Sequence, residues 1–266
     1  MSRIAHLSDL HFGREQPELV AALHRQLHRL RPDLVAISGD LTQRARPREL
    51  AAAADFVAAL PTPVLVVPGN HDIPGVTPRR FFGRWHAWRR HFPYDLEPEV
   101  HGEGFSAIGA NSVRAWGPYL DWSRGRLRAE QIRRLAARIA AIPDARLRIL
   151  VAHHPLLTTP AGAHRGEVGG ASDALSALAR AELDLALGGH VHLAYVGIRE
   201  GVLIAHAGTG VSDRLVGESN GFNVIEGDRR ALEIRHWYWS GADFAPGACR
   251  SFRRATDGWR EQPAGC

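Results

Sequence analysis

Five short blocks of this sequence combine carboxylate, amide and imidazole side chains. In chain order they are Asp9-Leu10-His11, Gly39-Asp40, Gly69-Asn70-His71-Asp72, His153-His154-Pro155 and Gly189-His190-Val191-His192. Carboxylate oxygen, amide oxygen and imidazole nitrogen suit borderline divalent metals such as Mn, Fe and Zn. None of the blocks contains Cys, which argues against a structural zinc or iron–sulfur centre. The blocks therefore predict a site for divalent metal ions.

The spacing within the blocks supports metal binding. Asp9 and His11 leave a predicted strand two residues apart, so both side chains point to one side and can bind one ion. His190 and His192 share this spacing, but their imidazoles can also divide between two ions. A residue without Cβ lets the backbone turn sharply and approach a small ion, and three blocks begin with one. These residues are Gly39, Gly69 and Gly189.

The predicted elements place the blocks at strand ends. Strands over 3–8, 34–38 and 63–67 alternate with helices over 17–30 and 47–60. This βαβαβ order implies parallel strands with right-handed crossovers. Ligands of open α/β sheets bind where the strands give way to loops. We therefore expect the polar blocks to meet at one edge of a sheet.

The second half of the chain contains two different patterns. Strands near 104–109, 146–152 and 183–187 alternate with helices over 128–141 and 172–181. After residue 190 the strands are short and close together, as in an antiparallel meander. We expect them at 194–199, 202–207, 222–227 and 231–238. Two sheets packed face to face would accommodate both patterns.

We expect one domain over residues 1–240 and a C-terminal tail over 241–266, rich in Gly, Pro, Ser and Arg and only partly ordered. Within the domain, Arg-rich and aromatic residues 77–95 predict a helical lid. Its aromatic stripe, Phe81, Trp85 and Trp88, would dock on the core and leave the arginines in solvent. The alternative is that arginines and aromatic rings together bind single-stranded nucleic acid.

The composition of the 266 residues, 45% of them hydrophobic, predicts a globular protein and excludes disorder of the whole chain. All 33 basic residues are Arg, spread along the chain, so the net charge of +5 is weak evidence for a nucleic-acid partner. We expect neither a secretory signal nor a membrane span, and hence a cytoplasmic protein. In that reducing compartment Cys249 and Cys266 are expected as free thiols, although they could pair with each other or cross-link a homodimer.

Taken together and in this order, the five blocks resemble the signature of the calcineurin-like metallophosphoesterase superfamily, over about residues 3–240. The resemblance implies an α/β fold of four layers, an αββα sandwich in which two mixed β-sheets are flanked by helices. It also implies a dinuclear metal site at the strand ends, holding two divalent or trivalent ions, Mn, Fe or Zn.

Matching positions assign roles to single residues. For the first metal the implied ligands are Asp9, His11 and His192, for the second Asn70, His153 and His190, with Asp40 as the bridge. His71 would point at the substrate and protonate the leaving oxygen or stabilise developing charge, and Asp72 would orient His71. The expected substrate contacts are His154, Arg114, His164 and Arg165, with a structural role as the alternative for His154.

Within the superfamily the chain resembles bacterial class III cyclic nucleotide phosphodiesterases and the related glycerophosphodiesterases. This implies hydrolysis of small phosphodiesters, with cyclic nucleotides as the best guess, by attack of a metal-bridging hydroxide on phosphorus. A phosphatase acting on phosphorylated metabolites or proteins, and a nuclease for single strands, stay open as alternatives. The expected partner is a small phosphoester substrate, not a nucleic acid or a membrane.

Overall fold

The described part of the chain contains thirteen strands, six α-helices and one short 3-10 helix, Ala163–Arg165. This computed structural model describes residues 1–75, 77–92, 95–115, 123–158 and 162–263. Its elements in chain order are β1 (Ser2–Leu7), α1 (Pro17–Leu30), β2 (Leu34–Ile37), α2 (Pro47–Ala58), β3 (Val64–Val66), α3 (Pro78–Phe82), α4 (His86–His91), β4 (Glu99–His101), β5 (Phe105–Ala110), α5 (Ala129–Ala140), β6 (Leu147–Ala152), α6 (Ala171–Arg180), β7 (Leu185–Gly188), β8 (Tyr195–Arg199), β9 (Val202–His206), β10 (Gly221–Gly227), β11 (Ala231–Trp239), β12 (Phe244–Ala255) and β13 (Gly258–Gln262).

The strands form two mixed sheets. One has the order β13-β12-β11-β10-β1-β2-β3, and the other has the order β4-β5-β6-β7-β9-β8. The strands β1, β2 and β3 are parallel, as are β5, β6, β7 and β9. The strands β10 to β13 add to β1 in antiparallel pairs. The predicted βαβαβ start is therefore confirmed, because its three strands are neighbours in one sheet.

Three buried apolar clusters separate four layers. Leu23 of α1 packs with Leu7 on the outer face of the seven-stranded sheet. Ile4 and Ile149 belong to the cluster between the two sheets. Leu178 of α6 belongs to the cluster that covers the outer face of the six-stranded sheet. The αββα sandwich expected from the resemblance is confirmed.

The first helix shows why the predicted boundaries hold. Pro17 occupies the first turn of α1, where its missing N–H is not needed. Leu19, Leu23 and Leu27 recur at helical spacing and are buried. The chain then leaves the helix at Arg31, which is left-handed with φ 46°. Proline at the start and a regular apolar stripe thus define this helix from local sequence.

Two predictions about the C-terminal third are wrong. The expected partly ordered tail instead contributes β12 and β13, which extend the seven-stranded sheet. The strands after residue 190 do not form one meander, because β8 and β9 join the six-stranded sheet while β10 and β11 join the other. Cys249 is in a disulfide bond, which is the alternative to the expected free thiol, and Cys266 lies outside the described residues.

The segment predicted as a helical lid differs from the expectation in its packing. It contains the two short helices α3 and α4. Trp88 and Phe92 are buried with α2, but Phe81 is 41% exposed and does not continue the stripe. Arg80 is buried, whereas all arginines of this segment were expected in solvent.

Candidate metal centre

All seven predicted ligands follow strands of the two sheets at one end of the sandwich. Asp9 and His11 follow β1, Asp40 follows β2, Asn70 follows β3, His153 follows β6, and His190 and His192 follow β7. Six of these side chains are buried, and Asn70 is half-buried. Parallel strands direct their carboxyl ends to the same edge of a sheet, so residues far apart in sequence meet there.

Asp9, His11 and His192 form one group of ligand atoms. His192 Nε2 lies 3.3 Å from Asp9 Oδ1 and 3.4 Å from His11 Nε2. His11 Nε2 lies 3.7 Å from the same Asp9 oxygen. Two nitrogen ligands of one tetrahedral zinc ion would be about 3.3 Å apart. The three atoms are therefore spaced like ligands of a single ion.

A second group forms around His153. Its Nε2 lies 3.2 Å from Asn70 Oδ1 and 3.4 Å from Asp40 Oδ2. The ring of His190 is close by, with its centroid 5.2 Å from that of His153. Asp40 Oδ2 also lies 3.8 Å from His11 Nε2 in the first group. One carboxylate oxygen thus faces both groups.

Hydrogen bonds fix the orientation of three imidazoles. In each, Nδ1 faces a backbone carbonyl oxygen, so that an Nδ1–H donates to it and Nε2 keeps its lone pair for a cation. The pairs are His11 Nδ1 with Thr42 O (3.3 Å), His153 Nδ1 with Ser38 O (2.8 Å) and His192 Nδ1 with Arg214 O (2.7 Å). The loops therefore hold these rings in an orientation that suits metal binding.

The electrostatics of the centre fit positive ions. In the described part of the chain Asp9 Oδ1 is buried and makes no hydrogen bond. Burial raises the pKa of both carboxyl groups, but the neighbouring imidazoles together lower it by more and hold both pKa values below their usual range. The largest lowering effect comes from His192 for Asp9 and from His153 for Asp40. Burial opposes the charged form of His153, but Asp40 raises its pKa to about 9. The two buried carboxylates therefore favour positive charge beside them, which a divalent cation would supply.

Five of the predicted ligands have a left-handed backbone. They are Asp9 (φ 53°), His11 (φ 48°), Asp40 (φ 51°), His190 (φ 71°) and His192 (φ 60°). For residues with a side chain this conformation costs about 1–2 kcal/mol each. Such strain is maintained where the surrounding structure enforces it, and it concentrates at functional sites.

Two of the predicted glycines make room for the ligands. A Cβ on Gly69 would overlap Asp40, and a Cβ on Gly189 would overlap Ser8 Oγ and lie 2.6 Å from Asp9 Oδ2. Both glycines thus permit close approach of one ligand loop to another, as the sequence predicts. The backbone N–H of His190 uses this proximity and donates to Asp9 Oδ2 at 3.0 Å.

The structure corrects the role expected for Asp72. Its carboxylate accepts hydrogen bonds from the backbone N–H groups of Leu41, Thr42 and Gly69, at 2.8 to 3.1 Å. The Nδ1 of His71 instead donates to the carbonyl oxygen of Gln43 at 2.8 Å. Asp72 therefore joins the two loops that carry Asp40 and Asn70, and it does not orient the imidazole of His71.

Arg214 is a site residue that the sequence analysis missed. Its Nη1 lies 3.1 Å from His71 Nε2 and 3.5 Å from His11 Nε2, while its carbonyl oxygen holds His192. In this arrangement His71 Nε2 accepts a hydrogen bond from the guanidinium. The sequence could have indicated this residue, because Arg214 lies in the glycine-containing loop that follows the predicted strand 202–207.

The four residues expected to contact the substrate differ in how deeply they are buried. His154 is buried, with Nδ1 2.7 Å from Ser112 Oγ and Nε2 2.6 Å from Ser123 O, which favours its structural alternative. Burial and the neighbouring His153 lower the pKa of His190 to about 3, and Arg165 contributes to the shift. Arg165 itself is half-buried, and its contact with substrate stays a prediction. His164 is exposed and Arg114 is half-buried, and their roles stay predictions.

Within the described residues, the helices are too short or too polar to cross a lipid bilayer.

One protein-family model and two relatives match this chain. The family model described as calcineurin-like phosphoesterase matches residues 2–194. The chain is 39% identical over 80 residues to the glycerophosphodiester phosphodiesterase GpdQ of Enterobacter lignolyticus, a match covering 26% of this chain and only 29% of that protein. It is 28% identical over 206 residues to a probable cyclic nucleotide phosphodiesterase of Synechococcus sp., covering 73% and 74% of the two chains.

Solved structures with low sequence identity have the same fold. The purple acid phosphatase PPD1 from yellow lupin (Lupinus luteus) superposes with a TM-score of 0.67 at 16% identity, over 92% of this chain and 52% of the lupin chain. A dimetal phosphatase from Danio rerio superposes with a TM-score of 0.66 at 13% identity, over 88% and 95% of the chains. Because the family model spans most of the chain and the fold agrees, the chain belongs to the calcineurin-like phosphoesterase family and is a metallophosphoesterase.

Proposed function

We propose that the protein is a phosphodiesterase with a two-ion centre that hydrolyses small phosphodiesters, with cyclic nucleotides as the favoured class. The observation that carries this proposal is the position of Asp40 Oδ2, 3.8 Å from His11 Nε2 and 3.4 Å from His153 Nε2. A carboxylate oxygen between two imidazole groups suits a bridging ligand of two adjacent ions.

The proposed ligands are those that the sequence assigns. Asp9, His11 and His192 would hold one ion, Asn70, His153 and His190 the other, and Asp40 would contact both. When bound there, divalent ions supply Lewis acidity toward a water molecule and toward phosphoryl oxygens.

Arg214 and His71 would act on the substrate. The guanidinium of Arg214 is always charged and lies beside His71 and His11, where it can stabilise negative charge on a phosphoryl group. His71 is half-buried and keeps its Nδ1–H on Gln43 O, so its Nε2 faces the same space. In the structure Nε2 accepts from Arg214 and carries no proton, so donation requires a His71 that is protonated on both nitrogens. We propose that, when the guanidinium pairs with the phosphoryl group, His71 Nε2 takes up a proton from water and donates it to the leaving oxygen.

The preference for diesters is supported by the two relatives, both named as phosphodiesterases. The test is a comparison of rates on p-nitrophenyl phosphate, bis-p-nitrophenyl phosphate, and 2′,3′- and 3′,5′-cyclic nucleotides. The metal content of the same sample is measured first, on protein purified without added metal. Faster turnover of the monoester would instead identify a phosphatase. Protein that binds metal but leaves every diester intact would contradict the proposal.

A further inference from the structure

Thr209 lies in the loop that carries the chain from one sheet to the other. This loop joins β9 of the six-stranded sheet to β10 of the seven-stranded sheet. The backbone N–H of Gly210 donates to Ser8 O at 3.1 Å, at the end of β1. The backbone N–H of Gly221 donates to Thr209 O at 2.9 Å. The side chain of Thr209 is only 1% exposed, so it is fixed inside the junction of the two sheets.

The hydroxyl of Thr209 makes two hydrogen bonds. Its Oγ1 lies 2.9 Å from His192 Nδ1 and 2.9 Å from the carbonyl oxygen of Arg214. These two partners also contact each other, because His192 Nδ1 lies 2.7 Å from Arg214 O. A carbonyl oxygen can only accept, so the hydroxyl donates to Arg214 O and accepts from the Nδ1–H of His192. The hydroxyl thus favours the tautomer in which His192 Nε2 keeps its lone pair for a cation.

The carbonyl group of Arg214 is the fixed point of an exposed turn. Residues 215–219 are all exposed, and among the described residues no backbone–backbone hydrogen bond involves residues 214–219. Within the described part of the chain, the backbone of Arg214 is therefore held through its carbonyl oxygen, by Thr209 and His192. The position of Arg214 depends on these two side chains.

The side chain of Arg214 extends from this fixed backbone into the metal centre. Its Nη1 lies 3.1 Å from His71 Nε2 and 3.4 Å from Gln43 Oε1. A displacement of the Arg214 carbonyl would also move the guanidinium relative to the group that it is proposed to stabilise. A misplacement of about 1 Å can lower a rate about 10²-fold, even when its cause is remote from the reacting atoms.

We infer that Thr209 is a positioning residue, whose hydroxyl holds the metal ligand His192 and the backbone of Arg214 in one arrangement. This inference rests on the proposed function, which gives both partners their roles. An imidazole of His192 that is fixed by a cation would also fix the Arg214 carbonyl, so metal binding and the placement of the guanidinium are coupled. Such a coupling is reciprocal, because it is a difference in free energy between the same states. Loss of the hydroxyl should therefore weaken metal binding and also lower the rate.

The first test needs no catalysis. Mn²⁺ is titrated calorimetrically into metal-free Thr209→Val, in which a methyl group replaces the hydroxyl. A methyl carbon makes no hydrogen bond and prefers contacts of about 3.5–4.0 Å, so His192 and the Arg214 carbonyl must move away from it. We expect the Mn²⁺ affinity of one site to fall about tenfold, as is usual when a metal-binding histidine loses a hydrogen-bond partner. Thr209→Ser keeps the hydroxyl and should restore the affinity.

Thr62→Val is the matched control for this titration. It makes the same chemical change at a side chain whose Oγ1 is buried and has no hydrogen-bond partner among the described residues. Thr62 precedes β3, whereas the proposed ligand Asn70 follows it, so the two residues lie at opposite ends of this strand. The Mn²⁺ affinity of Thr62→Val should equal that of the wild type. Circular dichroism and thermal unfolding verify that each variant folds, and Thr209→Ala, which leaves space instead of crowding, replaces a valine variant that does not.

The second test determines whether Thr209 acts through Arg214. The rate on bis-p-nitrophenyl phosphate is measured at saturating Mn²⁺, so that weaker metal binding does not contribute. Thr209→Val should lower kcat/KM about tenfold in the wild-type chain, within the range for remote misplacement of a group at the reacting atoms. In an Arg214→Gln background the same change should have little further effect, because the guanidinium is already absent. A merely structural role of Thr209 would lower both rates by the same factor.

The two tests separate this inference from the proposed function. If the diester is cleaved but Thr209→Val binds Mn²⁺ as well as Thr62→Val does, the inference is overturned and the diesterase proposal stands. An equal loss of rate with and without the Arg214 guanidinium would also overturn it. If no diester is cleaved but Thr209→Val weakens Mn²⁺ binding and Thr209→Ser restores it, the positioning of His192 by Thr209 stands and the proposed function fails.

Discussion

Gly189 gives a sharp test of how closely the ligand loops are packed. The substitution Gly189→Ala adds a single methyl group at a position where it would overlap Ser8 Oγ and lie 2.6 Å from Asp9 Oδ2. Both neighbours are fully buried, so neither can move into solvent. We expect a loss of unfolding free energy of about 2 kcal/mol, the middle of the range for overpacked interiors.

The structure also predicts how much of this loss of unfolding free energy comes from the overlap with Ser8 and how much from the contact with Asp9. Among the described residues, the hydrogen bond of Ser8 Oγ is a single long one, 3.4 Å to Ser38 O, so Ser8→Ala alone should reduce the unfolding free energy little. In the double variant Gly189→Ala/Ser8→Ala the worst overlap is removed, while the contact with Asp9 remains. We expect a coupling energy of about 1 kcal/mol between the two sites, as is usual for residues in direct contact.

The assay is urea unfolding of metal-free protein, followed by metal titration of each variant. Gly75→Ala is the matched control, because in the described part of the chain an added Cβ there meets nothing within 4 Å. It should leave stability unchanged or raise it by about 0.4–1 kcal/mol, through the lower entropy of the unfolded chain. Weaker metal binding should accompany the Gly189→Ala loss, because Asp9 is displaced. Equal stability of the Gly189 and Gly75 variants would refute the close packing of these loops.

Further predictions concern the metal centre. Asp40→Ala should remove the shared oxygen and lose bound metal together with activity, as measured by elemental analysis and turnover; full metal content would contradict the bridging role. Arg214→Gln keeps the backbone carbonyl that holds His192, so metal content should persist while kcat/KM falls about 10²–10³-fold; a normal rate would place Arg214 outside the site. His71→Ala should retain metal and lower turnover about 10²–10⁴-fold, and an unchanged rate would mean that the leaving oxygen needs no contact from His71. Adding Mn²⁺ at 100 times its dissociation constant should stabilise metal-free protein by about 2.7 kcal/mol, and EDTA should reverse this; an unchanged thermal midpoint would contradict a resident ion.

The parts of the fold that could be predicted from the sequence are those whose signals lie within one short segment. The helix over 17–30 has a proline at its start and one apolar stripe, and both signals lie within the segment. The ligand blocks could be placed because polar residues directly follow short apolar runs. Their convergence follows from the parallel strand order, which is itself a consequence of the βαβαβ pattern.

The failures concern interactions between distant segments. The strand β12 contains Pro246 and Gly247, a composition typical of loops. Because β13 pairs only with Ser251–Ala255 of β12, Pro246 lies in a part of the strand where one edge has no strand partner among the described residues, and such an edge tolerates proline. Asp72 directly follows His71 in sequence, yet its partners are backbone donors of another loop. The burial of Arg80 depends on carbonyl groups of residues 74 and 115, which no helical periodicity can reveal.

The position of β1 in its sheet has a consequence for synthesis on the ribosome. One edge of this strand pairs with β2, but the other pairs with β10, from Ser2 opposite Gly227 to His6 opposite Asn223. At about 5–20 residues per second, a nascent chain needs roughly 10–40 seconds to reach that partner. Until then the first strand presents an unpaired edge, a template for association with other chains. We expect fragments that end between residues 193 and 219 to aggregate or to require a chaperone, even though they contain every proposed metal ligand.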